Sequence, residues 1–350
     1  RVPHMRASLS ARLPMPVRLR AALAAILALA GLSACGPRKP EAPAERESPL
    51  IPRAALFANP ERAQARLSPR GDLISFLAPE NGYLNVHVMS AGGDPAQSLE
   101  GARAVTHDRR RGIHQHFWAE NGTHILYLQD EAGDENWRLH SVDAETGEDV
   151  NLTPMRRVQA NIVSMSRDEP DWVLVSLNDR DPKWPDVYRI NVRTGQRVLV
   201  QRNVERFSQF IADQQNIIRL ALRNMPNGAV EVHAFQFEGG WKKLFDIPFE
   251  DSLTSWPLEF SRDGRSFLMI DSMGRDKAAL VRVDAASGDR KVLGESQRAD
   301  VDGVWIDPDT KDAEAYSSTY LKTEWFGLDD TARADIAFLE AQLNGEATVT

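Results

Sequence analysis

A single cysteine in 350 residues leaves no possibility of an internal disulfide. Long apolar runs are missing too. The stretch Ala21–Leu32 falls well short of the roughly 20 residues that span a bilayer as a helix. Basic clusters are scarce: Arg109-Arg110-Arg111 is the longest, and the formal net charge is −8. Nucleic-acid binding depends on a basic face that releases counterions, so this balance argues against a nucleic-acid partner, and the arginine run reads as a solvated loop. Also absent is a Gly-x-Ser-x-Gly elbow, the strand-to-helix turn that presents a nucleophilic serine. Gly264-Arg265-Ser266 and Gly294-Glu295-Ser296 both lack the second glycine, so no serine-hydrolase centre is expected within these residues. What the chain does have is an ordinary apolar fraction of 42% and a charged fraction of 26%, enough for a sizeable core.

The position of the cysteine gives it a meaning. Arg6, Arg12, Arg18 and Arg20 precede the apolar stretch, and Leu32-Ser33-Ala34-Cys35 closes it. A positive flank, a short apolar core and small residues before a cysteine resemble the lipobox of bacterial lipoproteins. Residues 1–35 are therefore expected to be a lipoprotein signal peptide, with the Cys35 thiol acylated and the lipid holding the protein on a membrane. Gly36 stands where an aspartate would favour inner-membrane retention. The expected location is the periplasmic face of the outer membrane, or the periplasm. Residues 36–52 carry Pro37, Pro40, Pro43, Pro49 and Pro52 among charges, a composition that favours an extended tether. Arg1–His4 precede the first methionine, which points to Met5 or Met15 as the start.

From residue 53 onward one pattern recurs: polar turn, apolar strand, second turn, strand, acidic-glycine turn. The clearest copy runs from Phe117-Trp118-Ala119-Glu120-Asn121-Gly122 through His124–Leu128 and Trp137–Val142 to Asp143-Ala144-Glu145-Thr146-Gly147. Taking Gly92, Gly147, Gly195, Gly239 and Gly288 as markers, the spacings are 55, 48, 44 and 49 residues. A period of that size corresponds to one four-stranded antiparallel sheet. Such a sheet has two apolar faces and buries both only by stacking radially between neighbours. The expected fold is all-β: a propeller over residues 53–350 with about six four-stranded blades, Asn81-Gly82 closing a hairpin. In the sixth repeat, Ile336, Leu339 and Leu343 are spaced as on an amphipathic helix, capped by Asp329 or Asp330 and stopped near Gly345. The β-branched end Ala347–Thr350 reads as the opening of another strand, so the ring is expected to be incomplete.

Three stretches, Leu67-Ser68-Pro69-Arg70-Gly71, Thr106–Ala119 and Asp130-Glu131-Ala132-Gly133-Asp134-Glu135-Asn136-Trp137, resemble the N-terminal propeller of prolyl oligopeptidase-family serine peptidases, in particular the bacterial acylaminoacyl-peptidase and dipeptidyl-aminopeptidase branch. The resemblance implies a propeller that filters peptide substrates for a C-terminal α/β-hydrolase domain, which this stretch of chain would lack. It also implies that propeller carboxylates hold a substrate's free amino terminus. Asp134 and Glu135 are the candidates, since charge-assisted hydrogen bonds suit an ammonium, although acidic residues after glycine also suit a solvated turn. The competing reading is a stand-alone binding propeller like that of the Tol-Pal envelope system, with which the chain shares the Ser-x-Asp-Gly turn. No catalytic residue, cofactor or metal is expected. His114-Gln115-His116, with His107 nearby, could set two rings on one strand face, but no cysteine or carboxylate stands at ligand spacing. The recurring tryptophans read as packing between blades. Asn121-Gly122-Thr123 and Asn151-Leu152-Thr153 match glycosylation sequons that a bacterial export signal makes irrelevant.

Overall fold

The structure, a computed structural model, describes residues 50–342. Cys35, most of the tether and Leu343–Thr350 lie outside the described residues. The chain divides into two compact units, residues 1–58 and 59–350, so the division falls a few residues after the expected start of the propeller at 53. In the first unit the short helix α1 (Arg53–Phe57) is described.

The second unit holds six antiparallel sheets in chain order. Blade one contains β1 (Ala63–Leu67), β2 (Leu73–Glu80), β3 (Tyr83–Ser90) and β4 (Arg103–Ala104), with helix α2 (Pro95–Glu100) before its last strand. Blade two contains β5 (His116–Trp118), β6 (His124–Gln129), β7 (Arg138–Asp143) and β8 (Asp149–Asn151). Blade three contains β9 (Ala160–Met165), β10 (Trp172–Leu177), β11 (Asp186–Asn191) and β12 (Arg197–Gln201). Blade four contains β13 (Gln209–Ala212), β14 (Ile218–Asn224), β15 (Val230–Gln236) and β16 (Gly240–Ile247). Blade five contains β17 (Trp256–Phe260), β18 (Ser266–Asp271), β19 (Ala279–Asp284) and β20 (Arg290–Gly294). Among the described residues blade six has three strands, β21 (Val301–Ile306), β22 (Ala313–Thr319) and β23 (Thr323–Gly327), followed by helix α3 (Asp330–Gln342).

Local chemistry accounts for these elements. Asn81 and Gly82 both have positive φ, 53° and 88°, as a two-residue hairpin turn with the strands' own twist requires, and Glu80 pairs with Tyr83 across it. In the acidic-glycine turn, the Asp143 carboxylate accepts the amides of Glu145 and Thr146, and Gly147 donates to the Asp143 carbonyl with φ 75°. The same construction recurs at Asn191–Gly195 and Asp284–Gly288. At the end of blade six, Asp329 caps α3 by accepting the Ala332 amide. The helix lies close over β23 because residue 327 is glycine: a Cβ there would stand 2.5 Å from the Arg333 nitrogen.

The core lies between blades. Val173, Val175 and Leu177 on β10 join a buried cluster with blade two, while Leu174 turns the other way to meet Phe207 and Phe210 of blade four. On β18, Phe267 and Met269 face blade four and Leu268 and Ile270 face blade six. Each such side chain contributes about 1.5–3 kcal/mol by leaving water. Five clusters join the six blades successively; among the described residues none joins blade six to blade one.

At one end of the inner strands, the turns into the second strands carry a belt of charges. Arg262 of blade five ion-pairs with Asp168 of blade three at 2.9 Å, and Arg167 of blade three ion-pairs with Asp309 of blade six. Lys311 of blade six and Gln214 of blade four both reach Glu259 of blade five at 2.9 Å. Hydrogen bonds from Arg262 and then Gln215 hold the Asp168 carboxyl below its usual range. Since blades three and six are three positions apart in the ring, Arg167 and Asp309 meet across its axis. A cavity of about 620 Å³ beside them is lined by Arg70 of blade one, Trp118 of blade two and Pro308 of blade six.

Candidate functional site

The hairpin of β6 and β7 carries an eight-residue loop, residues 130–137, beyond the pair Gln129–Arg138. Three of its residues are left-handed: Ala132, Gly133 and Glu135, with φ of 57°, 83° and 55°. For alanine and glutamate this conformation costs on the order of 1 kcal/mol each, so other bonds must hold it. Asp134 supplies them. Its Oδ1 accepts the amides of Glu131 and Asn136, both at 3.1 Å, and its Oδ2 accepts from Arg138 at 3.2 Å. Hydrogen bonding from Asn136, then from Glu131 and Arg138, brings the Asp134 carboxyl down to about 2. Asp130 fixes the base of the loop. It is buried, its Oδ2 accepts the Glu135 amide at 3.3 Å, and its Oδ1 faces Arg111 Nε at 3.1 Å.

The two candidate carboxylates therefore divide their roles. Asp134 is occupied in shaping the loop, whereas the exposed Glu135 carboxylate makes no hydrogen bond or ion pair with any described residue. Asp130 and Arg138, which sequence reasoning did not single out, are what hold Glu135 in place. The only sequence signal for them is that a charged residue stands at each junction of strand and loop.

Beside the loop lies a pocket of about 520 Å³ lined by Gln64 of blade one, His114, Leu128 and Trp137, and Asn161 of blade three. Its amides and apolar surfaces suit an extended peptide, with donors and acceptors for the backbone and an apolar wall for a side chain. Gln64 is itself left-handed, at φ 52°, and donates to the His114 carbonyl at 2.8 Å.

The histidines part company. His107 pairs with Glu80 at 2.8 Å, His114 is exposed, and His116 is fully buried with Nε2 2.9 Å from Ser75 Oγ. Ser75 and His116 are a hydroxyl–imidazole pair, but both are sealed between blades one and two and cannot meet a substrate. Burial first, then the Arg66 charge, push His116 down to about 4. No group of three or more metal-ligating side chains occurs among the described residues, and no described helix is long and apolar enough to cross a membrane. The sequon asparagines serve the backbone: Asn121 accepts the Thr123 amide and Asn151 the Thr153 amide, both at 3.0 Å. Among the tryptophans, Trp118 lies in the core between blades one and two and Trp241 packs on Phe207 and Phe235. Trp256 is 38% exposed, so inter-blade packing does not explain all of them.

No protein-family model matches the chain. Dipeptidyl aminopeptidase BIII of Pseudoxanthomonas mexicana is 41% identical to it over 300 residues, which cover 86% of this chain and 43% of that protein. The chain is a propeller of the prolyl oligopeptidase family. A second member, dipeptidyl peptidase family member 6 of Caenorhabditis elegans, is 28% identical over 83% of the chain and 40% of its own length. A solved structure from work on two prolyl endopeptidases superposes with a TM-score of 0.54 over 76% of this chain and 40% of that one. At 11% identity that likeness speaks for the fold alone. The chain spans about two-fifths of the length of the curated relatives it matches.

Proposed function

We propose that this propeller admits and orients short peptides for a serine peptidase whose hydrolase domain belongs to the rest of the protein, and that it works outside the cytoplasm on a lipid anchor at Cys35. The observation that carries the peptidase reading is the 41% identity to a dipeptidyl aminopeptidase across 86% of the chain. In this reading Glu135 holds the substrate's amino terminus. It is the one carboxylate of the candidate pair left without a partner among the described residues, on a loop that Asp130, Asp134 and Arg138 fix in position. An ammonium held there gains a charge-assisted hydrogen bond. The neighbouring pocket with Gln64 and Trp137 offers room for the following residues.

In the full-length protein, Glu135→Gln is expected to raise KM about tenfold for peptides with a free amino terminus, a loss of ~1.4 kcal/mol. N-acetylated peptides should change little. An equal effect on both substrates would remove Glu135 from amine recognition, and absence of peptidase activity in the full-length protein would remove the peptidase reading itself. The anchor rests on the arginine-flanked apolar stretch ending in Leu32-Ser33-Ala34-Cys35. Cys35→Ala is expected to move the protein from the membrane to the soluble fraction; unchanged fractionation would refute the lipobox.

A further inference from the structure

The last strand of each of the first five blades is the outer edge of its sheet. An edge offers unpaired N–H and C=O groups to any strand that comes alongside, and proteins that stay apart shorten it or charge it. Four of the five edges are treated in that way. β4 has two residues and β8 three, β16 carries the exposed pair Lys242 and Lys243, and β20 begins with the exposed Arg290 and Lys291. The exception is β12. Its middle residues Val198, Leu199 and Val200 are 48%, 41% and 43% exposed, with no charge among them. Arg197, the one charged residue of the strand, does not guard the edge: its guanidinium lies back over the Tyr188 ring of β11 at 5.0 Å and 3.9 Å from Asp179. A bulge against the neighbouring strand, which turns an edge aside, is common to β12, β16 and β20, so it is the missing charge that sets β12 apart.

The stretch Arg197-Val198-Leu199-Val200-Gln201 is complementary to itself. In an antiparallel pair of two copies centred on Leu199, that residue stands opposite the partner's Leu199, Val198 opposite the partner's Val200, and Arg197 opposite the partner's Gln201. Apolar residues then meet across the pair and like charges do not, whereas an in-register parallel pair would set Arg197 on the partner's Arg197. A two-fold axis produces this arrangement, since it brings the same patch of both copies together. From this self-complementarity we infer that two copies of the chain join edge to edge through β12, so that blade three of one and blade three of the other form a single eight-stranded sheet. The edge is about 17 Å long and falls short of the roughly 800 Å² per partner of a standard interface, so the dimer is weak, with a Kd on the order of 10 μM. The inference uses only blade three and does not depend on the peptidase reading.

The test is sedimentation velocity of the full-length protein, carrying Cys35→Ala so that a lipid plays no part, between about 1 and 100 μM, a range that brackets that Kd. The mean mass is expected to move from one chain toward two. Leu199 is exposed, so a charge there leaves the fold intact and the melting temperature unchanged. Because residue 199 meets itself, Leu199→Lys and Leu199→Glu should each stay monomeric at the highest concentration. Mixed in equal amounts, the two variants should pair again, as opposite charges then face each other. Val292→Lys, at an exposed position on β20, is the control and should dimerise like the unaltered chain. A chain that stays monomeric throughout overturns the inference, and β12 amides protected from hydrogen exchange in that monomer would assign the edge to the rest of the protein instead. Dimers that survive Leu199→Lys, or variants that fail to pair on mixing, overturn it as well.

Discussion

His116 brings a pH dependence into the core. Its folded pKa is depressed to about 4 from an ordinary 6.5 by burial and the Arg66 charge. The unfolded chain therefore takes up a proton at pH 6.5 that the folded one refuses until about pH 4. The contribution is fully present above pH 6.5 and is lost as the pH falls toward 4, by about 3 kcal/mol in all. Urea unfolding across that interval should show the decline. His116→Gln, which keeps a polar group against Ser75 but cannot titrate, should flatten the slope; an unchanged slope would place the effect on other groups. At this scale the sequence said little. The Asp134–Glu135 pair was visible as two acids after a glycine, but which one remains free depends on Arg138 and on the left-handed backbone at 135.

Among the elements, α3 owes its seat to the absence of a single atom. Gly327→Ala places a Cβ 2.5 Å from Arg333 N and 2.9 Å from the Ala332 carbonyl carbon, both backbone, so the helix must shift. The substitution is expected to destabilise by about 1–3 kcal/mol and to expose residues 330–342 to proteolysis, as Ala332 and Ile336 lose their packing. Gly92→Ala is the control, since nothing lies within 4 Å of that position. Equal behaviour of the two variants would show that the close approach does not matter. Turns and caps were the most legible elements, because Asn81-Gly82, Asp143–Gly147 and Asp329 each act within a few residues. The repeat markers were legible only to within a residue: the left-handed positions are Gly93 and Gly240, one beyond Gly92 and Gly239. In blade six the acidic turn, Asp307–Lys311, lies between the first and second strands, with a lysine at φ 64° in place of glycine. A period counted from glycines cannot register that move.

In the whole molecule, the inner blades are held on both faces, and among the described residues the terminal ones are held by a core cluster on one face only. β10 and β18 are buried almost throughout, whereas most residues of β1 and β23 keep contact with water. Local opening follows burial, so amides of β1 and β23 should exchange much faster than those of β10, β14 and β18. Uniform protection across the six blades would mean that the first and last are packed as firmly as the rest. The propeller itself was readable because each strand must serve two cores, which leaves a nearly continuous apolar run such as Trp172–Leu177. Nothing in the sequence linked Arg167 with Asp309, whose partnership exists only because the ring brings distant turns face to face. That partnership has a consequence for traffic. Side chains from opposite blades meet at the belt, so anything that passes the bore at that end has to part or go round the Arg167–Asp309 pair.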